Sequence, residues 1–348
     1  MTGPAPSGAR GRLDRLAGLA RHRTLPPRAR GVVLLVAAVA TLVAALVAID
    51  RLDLSVDELQ PVPLVAAALL VTPLTVLLNA AELRVTALGS GARPERLGWG
   101  LATRTVVLAT AANLLPVPAG ALLRVQALTA AGARLGPAAG VQLAAAGVWV
   151  GVSTGLAGAV LLAGEPWWAT VFIVVGLAAV VAGLLALRRT ATDAHGRVAA
   201  LLFTVELGTA LLHAGRLWLV LVGLGVHATL AQAVVIAAAA PLAAAAGFFP
   251  GGIGLAELLS AVLAPLAGLA PAAGLLAVAV ARLLGLVVTV PVAAALGLRD
   301  VVRAADGGRL PPEYTGDTPG GTAADPSGGT AADLSGGTAP DTHEETGS

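Results

Sequence analysis

Four arginines, Arg104, Arg124, Arg216 and Arg282, stand inside otherwise apolar stretches of the chain, with Glu206, Glu257, His213 and Asn113 in the same setting. An ionised side chain costs about 2.5–3.5 kcal/mol at the centre of a membrane helix on insertion scales, so such residues face a bundle interior or a wet cavity and mark ligand pathways. Guanidinium groups in that position suit phosphate, which they grip bidentately. Their structural alternative is snorkelling, or pairing with Glu82, Glu206 or Glu257. Glu257 follows Gly254 by three residues, which puts its carboxylate in the first turn of a helix, where the dipole stabilises it. It can cap that helix, pair with an Arg, or bind a proton or a cationic head group. Asn113 can orient a ligand or satisfy broken backbone. Glu206, His213 and Arg216 share one helix face at i, i+7 and i+10 and form a polar seam, within which His213 taken alone is expected to be a satisfied packing residue.

Other chemistries are missing. No Cys occurs, which removes disulfides, thiolate metal sites and a Cys nucleophile together. There is no His/Glu cluster at metal-ligand spacing, no Gly-Lys nucleotide loop and no Gly-x-Ser-x-Gly elbow. The expectation is a protein without a catalytic residue, a metal or a cofactor.

The elements that must position these residues are membrane helices. Of 348 residues 57% are hydrophobic and 12% charged, and the mean hydropathy is +0.85; a soluble globule needs more polar surface than that. The 22 basic residues, all Arg, against 20 acidic ones leave a formal charge of +2, which implies no nucleic-acid partner. Continuous rather than alternating apolar runs exclude a porin-like barrel, and the Ala, Gly, Val and Leu content suits close helix packing. Six full spans are expected, over residues 32–49, 63–81, 138–163, 167–187, 199–222 and 272–298. Asp50, Asp53, Asp57 and Glu58 make an acidic loop after the first, whereas Arg84, Arg93, Arg96, Arg188, Arg189, Arg197, Arg299, Arg303 and Arg309 flank the opposite ends. The positive-inside rule then puts both termini in the cytoplasm of a plasma-membrane protein.

Two further apolar stretches, 99–131 and 230–268, are broken near their middles by Pro and Gly. The arms of the first are about 15 residues, roughly 22 Å as helix against a hydrocarbon core of about 30 Å, which favours re-entrant hairpins over pairs of spans. Pro116 and Gly120 recur as Pro250 and Gly254 at an offset of 134 residues, and the same offset superposes the order of the other elements. The first half (31–163) begins inside and the second (165–299) outside, so the expectation is an inverted-topology repeat with a site near the midplane at the interface of the halves. Free backbone N–H groups at the breaks, at Gly120 and at Gly251, Gly252 and Gly254, favour an anion there. Residues 1–30 carry seven Arg against Asp14 and form a basic cytoplasmic segment, interfacial or solvated. Residues 304–348 repeat Gly-Gly-Thr-Ala-Ala-Asp with a period of eight and are expected to be a disordered cytoplasmic tail.

Asn113-Leu-Leu-Pro-Val-Pro-Ala-Gly-Ala-Leu-Leu-Arg124, Phe249-Pro-Gly-Gly-Ile-Gly-Leu-Ala-Glu257, and Arg282 with Gly297-Leu-Arg299 resemble the lysylphosphatidylglycerol synthase transmembrane region, a family of flippase-like membrane proteins. The similarity runs over about residues 30–303. It implies a polytopic domain moving or holding an anionic phospholipid or polyprenyl-phosphate lipid, with Arg124, Glu257 and Arg282 as site residues. The chain continues into the low-complexity tail where a full-length synthase has a soluble aminoacyl-transferase domain, so aminoacyl transfer is not expected. Two alternatives stand beside this reading: an accessory membrane component working with a lipid-modifying transferase, and a small-solute secondary transporter.

Overall fold

The computed structural model describes residues 59–113, 119–190, 195–246 and 254–297. The expected basic segment, the first span at 32–49, the acidic loop before Leu59, Pro116, Gly251, Gly252 and the tail lie outside the described residues. Every regular element among the described residues is helical, and none is a strand. Five helices are long and apolar enough to cross a membrane: α1 (Pro61–Ser90), α4 (Leu135–Leu161), α5 (Pro166–Arg188), α6 (His195–Gly223) and α10 (Pro271–Ala295). They correspond to the second to sixth expected spans. At 23 to 30 residues each is about 34–45 Å long, enough for a hydrocarbon core of about 30 Å.

The bundle is inverted relative to a soluble protein. Val62, Leu69, Trp167, Leu177 and Val287 point outward, with Trp167 71% exposed, while Glu82, Glu206 and Glu257 are buried. Polar groups inside and aliphatic ones outside is the arrangement that lipid selects.

Between the long helices the two broken stretches form pairs of shorter ones. α2 (Trp99–Ala112) and α3 (Ala119–Ala130) lie side by side. At their open end the Arg93 N–H donates to Ala131 O at 3.0 Å. At the other end Gly120 packs so closely that a Cβ would meet Asn113 Oδ1 and stand 2.6 Å from Ala109 O, so only Gly allows that approach. The second pair is α7 (Leu230–Ala237) and α8 (Ala239–Ala246) against α9 (Leu255–Leu263). Its base is closed by Gln232, whose Nε2 donates to Ala267 O at 2.9 Å. Thr229 and Gln232 cap α7 reciprocally, N–H to side-chain oxygen in both directions.

α1 and α6 run antiparallel. The Gln60 N–H donates to Gly223 O at 2.9 Å, Leu78 packs on Gly208, and Val198 packs on Gly89. Near its start α1 widens into a π turn at Ala67–Val71, just ahead of Pro73. The wider turn accommodates the proline, which has no N–H and whose ring would crowd the preceding carbonyl. α4 and α5 are zipped by small residues: a Cβ on Gly151 would stand 2.7 Å from Gly176 O, and one on Gly176 2.8 Å from Gly151 O. Small residues let helix backbones touch in lipid, where apolar side chains alone give no drive to associate.

Candidate functional site

The intramembrane charges fall into two clusters joined by α6. In the first, Asn79 and Glu82 stand one turn apart on α1, and Arg124 reaches them from α3. Arg124 Nη1 donates to both Glu82 carboxylate oxygens at 2.9 Å, and Nη2 donates to Asn79 Oδ1 at 2.7 Å. Asn79 Nδ2 in turn donates to Thr75 O at 2.8 Å. Glu206 on α6 is buried within electrostatic reach of Glu82 and Arg124.

The second cluster joins α6, α9 and α10. Gly254 adopts φ 82°, a left-handed conformation that favours glycine, and its N–H donates to Glu257 Oε2 at 2.8 Å. Glu257 Oε1 pairs with Arg282 Nη1 at 3.0 Å. One carboxylate therefore caps α9 and holds an arginine at once. Arg216 Nη2 donates to Ala281 O. Its guanidinium lies across α10 at Gly285, where a Cβ would stand 2.7 Å from Nη2. His213, one turn before Arg216 on α6, lies within electrostatic reach of Arg216 and Arg282. Its Nε2 is buried with no hydrogen-bond partner among the described residues, unlike the satisfied packing histidine expected from sequence.

Between the clusters lies a cavity of about 210 Å³, lined from α1 by Thr75 and Asn79, from α2 by Thr110 and Asn113, from α6 by Arg216 and from α10 by Arg282 and Thr289. At about 30 Å³ per water it has room for about seven waters, the scale of a head group and not of a whole lipid. Thr75, Thr110 and Thr289 each donate their hydroxyl to a carbonyl of their own helix at 2.8 Å. The cations on the wall are Arg216 and Arg282. One carboxylate, Glu257, balances Arg282, and no carboxylate pairs with Arg216 among the described residues. A guanidinium in a dry bundle without a counter-charge is costly, and a cavity beside it admits an anion that would supply one.

Of the residues singled out in the sequence, Arg282, Arg216 and Asn113 line the cavity and Glu257 stands behind Arg282. Arg124 sits one residue away from it, connected through Asn79. Gly120 and Gly254 shape the two breaks without lining the cavity. Glu206 belongs to the first cluster. Arg104 lies apart, with Nη2 donating to Leu296 O at 3.1 Å at the end of α10, where a cation suits the helix dipole. Gly251 and Gly252 lie outside the described residues. Sequence reasoning passed over Asn79, Gly285 and the three threonines. Asn79 left a signal, since an amide three residues before Glu82 in an apolar run shares its face, whereas Gly285 is one of 43 glycines and nothing local marks it. No group of three or more His, Asp or Glu among the described residues is placed to hold a metal. No family model, curated protein or solved structure matches the chain.

Proposed function

We propose that this protein is a flippase-like plasma-membrane protein whose cavity takes the phosphate of an anionic phospholipid or polyprenyl-phosphate lipid, while the acyl chains stay in the bilayer. The observation that carries the reading is the cavity wall, where the described residues place two guanidinium groups and the one carboxylate, Glu257, that pairs with Arg282. The resemblance to the lysylphosphatidylglycerol synthase transmembrane region points to the same ligand class. In this reading Arg216 and Arg282 contact the phosphate, Asn113 and Asn79 offer polar contacts, and Glu257 and Arg124 position the contacting side chains.

The transport frame is the inverted repeat. Moved by 134 residues, α1 starts on the first residue of α6, α2 overlies α7 and α8, α3 overlies α9, and α4 ends on the last residue of α10. The cavity takes residues from α1 and α2 of one half and from α6 and α10 of the other, as a site between repeats must. The arms of the broken stretches, 14 and 12 residues in the first, are about 18–21 Å long, short of the hydrocarbon core of about 30 Å. They act as re-entrant hairpins, and with the first span the protein has six crossings and cytoplasmic termini.

The test is binding by the purified full chain in nanodiscs of phosphatidylglycerol or of phosphatidylcholine, with inorganic phosphate as a third arm. Selective retention of phosphatidylglycerol, weakened in Arg216→Gln, supports the lipid-phosphate site. Binding of inorganic phosphate alone makes the ligand a free anion. Equal retention of both lipids by the parent and by Arg216→Gln removes the proposal.

A further inference from the structure

The first cluster holds one carboxylate more than it can balance. Among the described residues Arg124 is the cation within electrostatic reach of both Glu82 and Glu206, and it directs its donors to Glu82 and Asn79. Glu206 is 3% exposed, and no hydrogen bond among the described residues reaches its carboxylate. Of the elements packed against α6, α1 carries one further cation, Arg84, whose guanidinium lies over the Trp99 ring 4.5 Å from its centroid. The segments α4 and α7 and the first two turns of α1 contain no ionisable residue, α5 contributes only Arg188 at its last position, and Arg282 of α10 is engaged by Glu257. On α6 itself His195 and Arg197 lie eleven and nine residues before Glu206, and His213 and Arg216 lie seven and ten after it. Over about 15 Å of helix, at an effective dielectric constant of about 20, one unit charge changes an equilibrium of the other about sixfold. That is far less than the desolvation of a buried carboxylate.

We propose that Glu206 is a proton-binding site coupled to the anion cavity. Its carboxylate takes a proton from the aqueous phase, forming a neutral carboxyl, and returns it to water on release; nothing is oxidised or reduced. The coupling, which rests on the anion-binding reading above, follows from counting charges. Glu82 with Arg124 and Glu257 with Arg282 cancel in every state. Within the two clusters the remainder is Arg216, Glu206 and the ligand. With a singly charged phosphodiester as ligand, this remainder is neutral in two of the four states: empty with Glu206 ionised, and loaded with Glu206 protonated. The anion and the proton therefore favour each other, which is the thermodynamic requirement for moving together. Two physical links run between the sites. Arg216 and Glu206 share α6, and Asn79 touches both Arg124 and the cavity.

The experiment is infrared spectroscopy of the full chain in phosphatidylglycerol nanodiscs, which load the cavity, at about pH 7, where exposed carboxylates, with pKa about 4, are ionised. A protonated carboxyl C=O band is expected in the parent and in Arg216→Gln, and it is lost in Glu206→Gln. Absence of the band in the parent overturns the proposal, as does its survival in Glu206→Gln or its loss in Glu82→Gln instead. Should Glu206→Gln fail to fold, Glu206→Asp must shift the band, and an unshifted band counts against Glu206. For the coupling, phosphatidylglycerol affinity of the parent should fall up to about sixfold between about pH 6 and about pH 8, and that dependence should vanish in Glu206→Gln. A pH-independent parent overturns the coupling. A band that responds to Glu206→Gln in a protein that binds no anionic lipid leaves the proton site standing and removes the anion reading.

Discussion

Replacing Arg216 by Gln separates a functional arginine from a structural one by the sign of its effect on stability. Arg216 lies in the bundle with a backbone carbonyl, Ala281 O, as its hydrogen-bond acceptor and no carboxylate pairing with it among the described residues. Placing an arginine at the centre of a membrane helix costs about 2.5–3.5 kcal/mol on insertion scales. A hydrogen bond from a charged donor returns about 1.5–3 kcal/mol, so the group is a net burden of about 0–2 kcal/mol on the empty protein. Arg216→Gln should therefore leave thermal stability in phosphatidylcholine nanodiscs unchanged or raise it by up to about 2 kcal/mol. Affinity for an anionic lipid should drop about 10- to 150-fold, the equivalent of one charge-assisted bond of about 1.5–3 kcal/mol. Arg124→Gln is the contrast, because it strips Glu82 of its buried partner and should lower stability by about 3–5 kcal/mol. Thermal unfolding and lipid titration on the same nanodisc samples give both numbers. A large loss of stability in Arg216→Gln with lipid affinity intact would refute the reasoning and reduce Arg216 to a tie between α6 and α10.

Three further outcomes are expected. Gly285→Ala puts a methyl 2.7 Å from Arg216 Nη2; the flexible guanidinium moves aside more readily than the helices do, so lipid affinity should fall in titration while the unfolding temperature holds, and a collapse of the fold would contradict this. Glu257→Gln keeps an oxygen for the Gly254 N–H but leaves Arg282 without its carboxylate. Its stability in phosphatidylcholine should fall by about 3–5 kcal/mol and recover in phosphatidylglycerol, where lipid phosphate replaces the lost charge; equal losses in both lipids would speak against the cavity. With no native Cys, Arg93→Cys and Glu165→Cys can be labelled without background: an impermeant thiol reagent should reach position 165 from outside the cell and position 93 only after permeabilisation, and the reverse pattern would invert the topology.

The amino-acid sequence by itself determined the helical class and the register of the long helices, because lipid imposes one dominant requirement: about 20 consecutive apolar residues with every backbone group satisfied within the segment. Four of the expected spans coincide with long apolar helices to within four residues at each end, while α1 runs nine residues past the expected end at Ala81, and α2 and α8 end at Ala112 and Ala246, at the edges of the two Pro- and Gly-containing clusters. The intramembrane arginines and glutamates were equally legible, since a charge in an apolar run is conspicuous. Which charge meets which was not. Arg124 finds Glu82 and Asn79 across 42 and 45 residues, and Arg216 finds Ala281 across 65. Such contacts depend on the rotation and approach of helices that are apolar nearly all round, so no amphipathic stripe in the sequence records how each one turns. Tertiary packing alone put Arg216 rather than Arg124 on the cavity wall. It also gave Glu257 its two partners and left Glu206 with a shared one, because approach distances near 3 Å are set by where Gly120, Gly151 and Gly285 let backbones and side chains come together.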